Sequence, residues 1–302
     1  MTYSVIAFDQ PSGAYGVAIQ SHWFNVGRST AWVRFGVGTI ATQALTDPSY
    51  GIRGLDIMAA GVDAATTLRV LLDADPSRER RQVAMLDHRG TVAVHTGSQC
   101  VAHAGHRTGD RWSVQGNMLR SPDVVDAMAS TFPATSGTLP ERMVETLEAA
   151  EHAGGDLRGS QSAAIRIVPG PAELAEGQEA GIDILIADHP DPVAELRRLV
   201  EVDRSYRELR RGGTALEEGD AAAALRHYQL AADLRHGPEV DFWMALGLAR
   251  MGRIDQGVRT MQGALAAAPA FREVLERLAV FDEGARRMRE SLEAIPTGDG
   301  GS

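Results

Sequence analysis

Two patterns of apolar residues divide the chain near residue 200. Before that point, segments in which apolar and polar residues alternate, as in β-strands, come in blocks with segments of helical period. The predicted strands are residues 3–8, 15–20, 32–41, 82–86, 91–95, 112–115, 163–168 and 182–186, and the predicted helices are residues 50–60, 64–73, 122–130 and 139–152. Strand blocks that alternate with helix pairs predict the α+β class, with helices covering two stacked sheets in a four-layer αββα sandwich.

From about residue 204 the pattern is helical throughout and contains an internal repeat. The residues that recur, at an offset of about 33, are Gly219, Ala224, Tyr228 and Ala231 in the first copy and Gly252, Gly257, Met261 and Ala264 in the second. This period resembles that of tetratricopeptide repeats, about 34 residues, in which small residues let paired helices approach closely. We expect residues 271–278 to form a capping helix. The predicted organisation is a first domain at 1–203, helical repeats at 204–285 and a disordered tail at 286–302.

The composition excludes several classes of function. A net charge of −10 argues against a nucleic-acid partner, which needs a basic surface. The chain has no lysine, which excludes Schiff-base chemistry and a P-loop. It has one cysteine, no signal-peptide pattern and no apolar run of about 18 residues. We therefore expect a cytoplasmic protein with no membrane partner, and no cofactor is indicated.

The first two residues carry the strongest chemical signal. Thr2 follows Met1 and immediately begins an apolar strand pattern. Met1 before a small residue is usually removed, which leaves a terminal threonine with a hydroxyl nucleophile and an α-amine that titrates near neutrality. Thr2 can then act as a nucleophile with its own amine as general base. The alternative is that Thr2 is only a start residue.

Short motifs spread over the first 192 residues occur together in one bacterial family. They are residues 1–7 (MTYSVIA), 16–21 (GVAIQS), 41–43 (ATQ), 47–51 (DPSYG), 96–100 (TGSQC), 104–106 (AGH), 114–117 (VQGN), 154–163 (GGDLRGSQSA) and 188–192 (DHPDP). With them, residues 1–203 resemble the domain-of-unknown-function family 1028, which is grouped with the N-terminal nucleophile (Ntn) hydrolases. The resemblance implies an αββα sandwich and a reactive residue at the mature N-terminus, hence Thr2, but no substrate. Proteasome-like members place a lysine beside the threonine, and this chain has none.

Two polar, glycine-rich segments supply further candidates. The strand predicted at 112–115 ends in a turn at Gly116 and Asn117, where Asn117 can form an oxyanion hole with neighbouring N–H groups. The alternative is a Gly-Asn turn closed by the asparagine side chain. In the loop at 154–162, Arg158 can grip a substrate carboxylate while Asp156 orients it or binds an amine. The alternative there is an ion pair that pins the loop.

Four other residues complete the predicted substrate-binding set. Gln20 and Ser21 end the second predicted strand, where they can help to activate Thr2. Gln43 and Gln161 lie within the motifs that carry the family resemblance.

Cys100, His103 and His106 form a Cys-x2-His-x2-His pattern. A thiolate and two imidazoles can bind zinc, and Cys100 can also act as a nucleophile paired with a histidine. The spacing is not one of the common zinc patterns, and steps of three residues alternate between the faces of a strand. A buried structural cysteine is the favoured interpretation.

The leading hypothesis is an Ntn-type hydrolase of a small amide, lactam or N-acyl compound, with a small molecule as its substrate. One alternative is a non-catalytic scaffold, in which a degenerate hydrolase fold is joined to repeats that bind a protein partner. The other is a metal-dependent hydrolase at the Cys-His-His pattern. A homodimer is expected only by analogy with related sandwiches.

Overall fold

The computed structural model describes residues 2–171, 181–235 and 237–294. The chain separates into two compact units, Met1–Val200 and Glu201–Ser302.

In the described part of the first unit, ten strands form two antiparallel sheets. The strands are β1 (Thr2–Phe8), β2 (Tyr15–Ser21), β3 (Ala31–Arg34), β4 (Gly38–Ala44), β5 (Arg81–Asp87), β6 (Val92–Thr96), β7 (Gly105–Gly109), β8 (Trp112–Asn117), β9 (Ser162–Val168) and β10 (Ile182–Ile186). The first sheet has the order β10-β9-β2-β1-β8-β7 and the second the order β3-β4-β5-β6. The strand that begins with Thr2 is therefore a central one, paired with β2 on one side and β8 on the other.

Helices cover the outer faces of both sheets. A short helix, α1 (Gly27–Thr30), precedes α2 (Ser49–Ala59) and α3 (Ala64–Asp73), which pack on the second sheet. The helices α4 (Asp123–Ala134) and α5 (Leu139–His152) pack on the first sheet. The predicted four-layer αββα sandwich is confirmed.

Local sequence explains where the covering helices begin. Asp63 caps α3 by accepting a hydrogen bond from the Thr66 N–H at 2.8 Å. Thr138 and Glu141 form a capping box at the start of α5. The apolar side of α5 includes Leu147, which is fully buried, and burial of such a side chain stabilises the fold by about 1.5–3 kcal/mol.

Alternation along β1 divides its residues between two environments. Tyr3, Val5 and Ala7 face α4 and α5, where they join the larger apolar cluster. Ile6 points the other way, into the cluster between the sheets. Because successive side chains of a strand alternate, Thr2 and Ser4 share the inter-sheet face with Ile6.

The structure corrects several predicted boundaries. The single strand predicted at 32–41 is two strands, β3 and β4, separated by a turn in which Gly36 has a φ of 71°. The helix predicted at 122–130 continues to Ala134. Neither α1 nor β7 was predicted, because each is short and polar and lacks an apolar period.

The described residues of the second unit are helical, as predicted. The helices are α6 (Pro192–Glu217), which begins before the unit does, α7 (Ala221–Leu234), α8 (Pro238–Arg250), α9 (Ile254–Ala267), α10 (Phe271–Leu278) and α11 (Glu283–Glu293). None of the helices in the described ranges combines the length and the apolar composition that crossing a bilayer requires.

Two of the three repeated glycines of this unit lie in turns. Gly219 and Gly252 occupy equivalent positions after α6 and α8, with φ of 84° and 76°, which glycine adopts without steric cost. The third, Gly257, lies within α9 at a close helix contact, as predicted, because an added Cβ would lie 2.8 Å from the Ala245 carbonyl oxygen. A further close approach occurs at Gly247, where an added Cβ would lie 2.3 Å from the Tyr228 ring. Tyr228 and Met261 are buried, as expected for residues that fill the space between helices.

The predicted disordered tail at 286–302 is wrong for its first part. The helix α11 extends to Glu293, because Asp282 caps its start and Met288 is fully buried. Residues 295–302 lie outside the described residues.

Candidate active site

Thr2 lies at the end of the space between the two sheets. It is 7% exposed and stands opposite Asn117 in the pairing of β1 with β8. Its Oγ1 donates a hydrogen bond to the Ser21 Oγ at 3.0 Å. The structure therefore brings together three predicted site residues, Thr2, Ser21 and Asn117.

Fully or almost fully buried polar side chains surround Thr2 on this inter-sheet face. We call this group the polar layer; its members are Thr2, Ser4, Ser21, Gln43, Gln82, Ser113, Gln115 and Asn117. Gln43, which was predicted to bind substrate, belongs to it. No pattern in the sequence had indicated a site role for the other four members, Ser4, Gln82, Ser113 and Gln115.

A directional series of hydrogen bonds crosses the polar layer. The Ser113 hydroxyl donates to Gln115 Oε1 at 2.7 Å, and Gln115 Nε2 donates to Ser4 Oγ at 2.6 Å. Ser4 Oγ donates to Gln43 Oε1 at 2.8 Å, and Gln43 Nε2 donates to Gln82 Oε1 at 2.7 Å. Each amide uses its oxygen as acceptor and its nitrogen as donor, so the series determines how every amide is oriented.

Gln82 is the centre of the polar layer. Its Oε1 accepts from Gln43 Nε2 at 2.7 Å and from Asn117 Nδ2 at 3.0 Å. Its Nε2 has three acceptors within reach, the carbonyl oxygens of Gly116 and Gly105 and the hydroxyl of Thr96, at 2.8, 3.0 and 2.9 Å. Gln82 thus holds two amide groups beside Thr2. Its position at the start of an ordinary predicted strand gave no signal of this role.

The two amides held by Gln82 also face the main chain of Thr2. Gln43 Nε2 lies 3.3 Å and Asn117 Nδ2 lies 3.5 Å from the Thr2 carbonyl oxygen, which are long contacts. Asn117 was predicted either to donate to an oxyanion or to close its own turn. Its side-chain amide donates to Gln82 and faces the Thr2 carbonyl oxygen rather than its own turn, and donation to an oxyanion stays a prediction.

The predicted Asp156–Arg158 pair forms, and its contacts favour the loop-pinning interpretation. Arg158 Nη2 lies 3.2 Å from Asp156 Oδ2, and the Asp156 side chain is fully buried. Asp156 also accepts the main-chain N–H groups of Arg158 at 2.8 Å and of His22 at 3.1 Å. Gln161 donates to Asp188 at 3.1 Å. Each of these predicted binding residues is engaged by a neighbour on the protein.

Gln20 does not join Thr2. It pairs with Tyr3 across β1 and β2, and therefore lies on the face that meets the helices. It is fully buried, and its amide has no hydrogen-bond partner in the described ranges. Adjacent residues of a strand cannot share a face, so of Gln20 and Ser21 only the second reaches the polar layer.

The Cys-His-His pattern does not form a metal site. His103 is exposed, His106 Nδ1 lies 2.9 Å from the Thr96 hydroxyl, and Cys100 Sγ donates to the Arg81 carbonyl at 3.3 Å. Burial raises the pKa of the Cys100 thiol, which disfavours a thiolate ligand or nucleophile. Across residues 2–171, 181–235 and 237–294, no three His, Cys, Asp or Glu side chains are placed to hold a metal ion. The metal-site alternative is therefore not supported, because the three residues contact different neighbours, and the structural interpretation of Cys100 stays the favoured one.

Comparison with known proteins identifies the family. A family model described as a family of unknown function (DUF1028) matches residues 2–196. The chain belongs to the DUF1028 family. The crystal structure of the DUF1028 protein SPO2555 from Silicibacter pomeroyi is 28% identical, with a TM-score of 0.60, and the match covers 66% of this chain and 88% of that one. No curated protein matches the chain. The DUF1028 match falls within the αββα unit and includes the whole polar layer.

Proposed function

We propose that this protein is an Ntn-type hydrolase of small amide, lactam or N-acyl compounds, with Thr2 as nucleophile once Met1 is removed. The observation that carries the proposal is the position of Thr2, the first residue of a central strand, with its hydroxyl held among buried polar groups. Ser21, which accepts the Thr2 hydroxyl hydrogen bond at 3.0 Å, orients the nucleophile. Membership of DUF1028 supports the assignment only through the superfamily with which that family is grouped.

The proposed reaction needs no base other than the Thr2 α-amine. Thr2 Oγ1 attacks the substrate carbonyl carbon while its proton passes to the α-amine, whose ordinary pKa of about 7.7–8.0 suits a base near neutrality. The carbon–nitrogen bond then breaks, the leaving amine takes that proton, and an ester on Thr2 remains. Water then attacks this ester and gives up a proton to the Thr2 α-amine. The bond between the acyl carbon and Oγ1 breaks, the α-amine returns the proton to Oγ1, and the carboxylic acid leaves free Thr2 behind.

The amides of Asn117 and Gln43 are the proposed oxyanion donors. Each donates to Gln82 Oε1 and makes a long contact with the Thr2 carbonyl oxygen, at 3.5 Å for Asn117 and 3.3 Å for Gln43, whose Nε2 also lies 3.5 Å from the Gln115 carbonyl oxygen. Because these contacts with the Thr2 carbonyl oxygen are long and weak, little free energy is lost when the amides donate instead to a negatively charged oxyanion. One such donor stabilises an oxyanion transition state by about 2.7–4 kcal/mol.

Intact mass of the full chain, with and without a β-lactone probe, tests the proposal. We expect loss of Met1 and one adduct that maps to Thr2. Thr2→Ser should retain labelling and Thr2→Ala should abolish it, while Thr30→Ala, at another buried threonine hydroxyl, should label as the wild type does. Retained Met1, or labelling that survives in Thr2→Ala, would refute the mechanism.

A non-catalytic scaffold is the competing proposal. It is favoured by the absence of lysine from the chain and by the engagement of the Asn117 amide with Gln82 at 3.0 Å. In that case the helical unit binds a protein partner, and retention of Met1 changes nothing in that binding. The mass measurement therefore separates the two proposals.

A further inference from the structure

A small cavity adjoins the Asn117 end of the polar layer. Its volume is about 200 Å³, and its described lining residues are Ala44, Leu45, Arg80, Gln99, Cys100, Val101, Asn117 and Met118. Sites for drug-sized ligands usually measure about 300–1,000 Å³. This cavity therefore suits a smaller compound.

Asn117 connects the cavity with Thr2. It lines the cavity, stands opposite Thr2 in the β1–β8 register, and places its Nδ2 3.5 Å from the Thr2 carbonyl oxygen. Cα atoms of directly paired antiparallel residues are separated by about 4.5–5.5 Å. Thr2 is not among the described lining residues, so one strand spacing, bridged by Asn117, separates the cavity from the proposed nucleophile.

Hydrogen bonds tie the walls of the cavity to one another. The Leu45 N–H donates to the Arg80 carbonyl at 3.2 Å, and the Met118 N–H donates to the Val101 carbonyl at 2.8 Å. Cys100 Sγ donates to the Arg81 carbonyl. The cavity is thus bounded by segments that hold each other in place.

Two of the lining residues have a backbone conformation that non-glycine residues rarely adopt. Ala44 has a φ of 71° and Met118 a φ of 56°. Such conformations are strained and cluster at functional sites. Each of them directly follows a residue of the polar layer. Ala44 follows Gln43 and is the last residue of β4, and Met118 follows Asn117, the last residue of β8.

Arg80 is the only charged residue among the described residues that line this cavity. Arg80 is an exposed residue whose guanidinium has no ion pair or hydrogen bond within the described ranges, whereas the neighbouring Arg81 lies 2.8 Å from Asp75. The nearby Glu79 carboxylate accepts the Ser98 N–H at 3.0 Å. An unpaired guanidinium beside apolar walls and amide groups fits a small anion with a hydrocarbon part, and its planar donors match a carboxylate.

We propose that the cavity binds the carboxylate of the substrate through Arg80. The substrates are then small N-acyl or amide compounds that carry a carboxylate. Arg80 takes the role that was predicted for Arg158, whose Nη2 lies 3.2 Å from Asp156 Oδ2. The Gln99 side chain offers a further hydrogen-bonding group, and Leu45, Val101 and Met118 contact the hydrocarbon part. This inference rests on the proposed function, because it places the scissile amide beside Thr2.

Ligand-detected NMR titrations of the full-length Thr2→Ala protein test carboxylate binding without turnover. The probes are N-acetylglycine, N-acetyl-β-alanine and the neutral N-acetylglycinamide. At least one acid should bind ten times more tightly than the neutral compound, and Arg80→Gln should remove that preference. Arg53→Gln, at an exposed arginine of α2 that does not line the cavity, should preserve it. Equal binding of acid and neutral probe, no binding of either acid, or a preference that survives Arg80→Gln would overturn the inference.

The outcome is separable from that of the hydrolase proposal. Acid binding that depends on Arg80, together with no β-lactone adduct on wild-type Thr2, would retain the anion site and refute the nucleophile. An adduct on Thr2 without any Arg80-dependent preference would retain the nucleophile and refute the anion site. Circular dichroism of both arginine variants shows that each has folded before binding is compared.

Discussion

The two ends of the inter-sheet space are equally buried and chemically opposite. At one end Ile6, Val17 and Leu86 belong to an apolar cluster, and at the other the polar layer surrounds Thr2. The strand β5 contributes to both, with Gln82 in the polar layer and Leu86 in the apolar cluster on the same inter-sheet face. Burial alone therefore does not distinguish a core from a site, whereas the hydrogen-bond partners do.

The energetic roles of the two ends differ accordingly. A fully buried apolar side chain stabilises the fold by about 1.5–3 kcal/mol. A satisfied buried hydrogen bond adds only about 0.5–1.5 kcal/mol, but an unsatisfied partner costs about 1–3 kcal/mol. The polar layer is consequently a poor source of stability and an effective way to orient side chains, as a site requires.

Leu86→Gln should produce the largest effect, because it places a polar amide in the apolar cluster. The variant loses the burial of a leucine, about 1.5–3 kcal/mol, and buries an amide without partners, about 1–3 kcal/mol. We expect a loss of about 2.5–6 kcal/mol in the free energy of unfolding, measured in urea. A loss below about 1 kcal/mol would show that the apolar end tolerates polar groups.

Gln82→Leu makes the reverse exchange and should lower the free energy of unfolding by about 2–4 kcal/mol. It leaves the amides of Gln43 and Asn117 without their acceptor, and the added apolar burial offsets only part of that penalty. The same urea series should show little change for Gln229→Leu, at an exposed glutamine of α7. Labelling of Thr2 should also fall, because Asn117 is no longer held. Unchanged stability and labelling would contradict a central role for Gln82.

Ser4→Ala should have an intermediate effect of about 1–3 kcal/mol. It interrupts the series between Gln115 and Gln43 but removes only one hydroxyl. Ser130→Ala, at an exposed serine of α4, is the matched control and should change the free energy of unfolding by less than about 0.5 kcal/mol. Equal effects of the two variants would mean that the series contributes nothing.

The smallest effect should be the pH dependence contributed by His106, which contacts Thr96 at the edge of the polar layer. Burial, followed by the charges of Arg107 and His95, lowers its pKa below the ordinary value of 6.5. The unfolded chain then binds the proton more readily, so stability is fully present above about 6.5 and falls as the pH drops through the lowered pKa. In His106→Asn this fall should be reduced, and in the exposed His88→Asn it should not. Parallel curves for wild type and His106→Asn would contradict the assignment.

The sequence predicted most of the fold and only part of the site. Local patterns predicted that a strand begins near Thr2 and that another strand ends near Asn117. The alternation Ser113, Gln115 and Asn117 was a usable signal, but a polar face of a strand ordinarily predicts exposure to solvent. Here that face meets the second sheet, so all three residues are buried.

By itself the sequence determined the order of strands and helices, the family and the position of Thr2 at the start of a strand, because periods and motifs are local properties of a chain. Only the tertiary structure decided that Ser21 and not Gln20 meets Thr2, that Gln82 organises the neighbouring amides, and that Arg80 lines a cavity while Arg158 pairs with Asp156. Those outcomes depend on which face of each strand meets the second sheet and on which charges find a partner. Both are decided by residues that lie far apart in the chain and meet only when it folds.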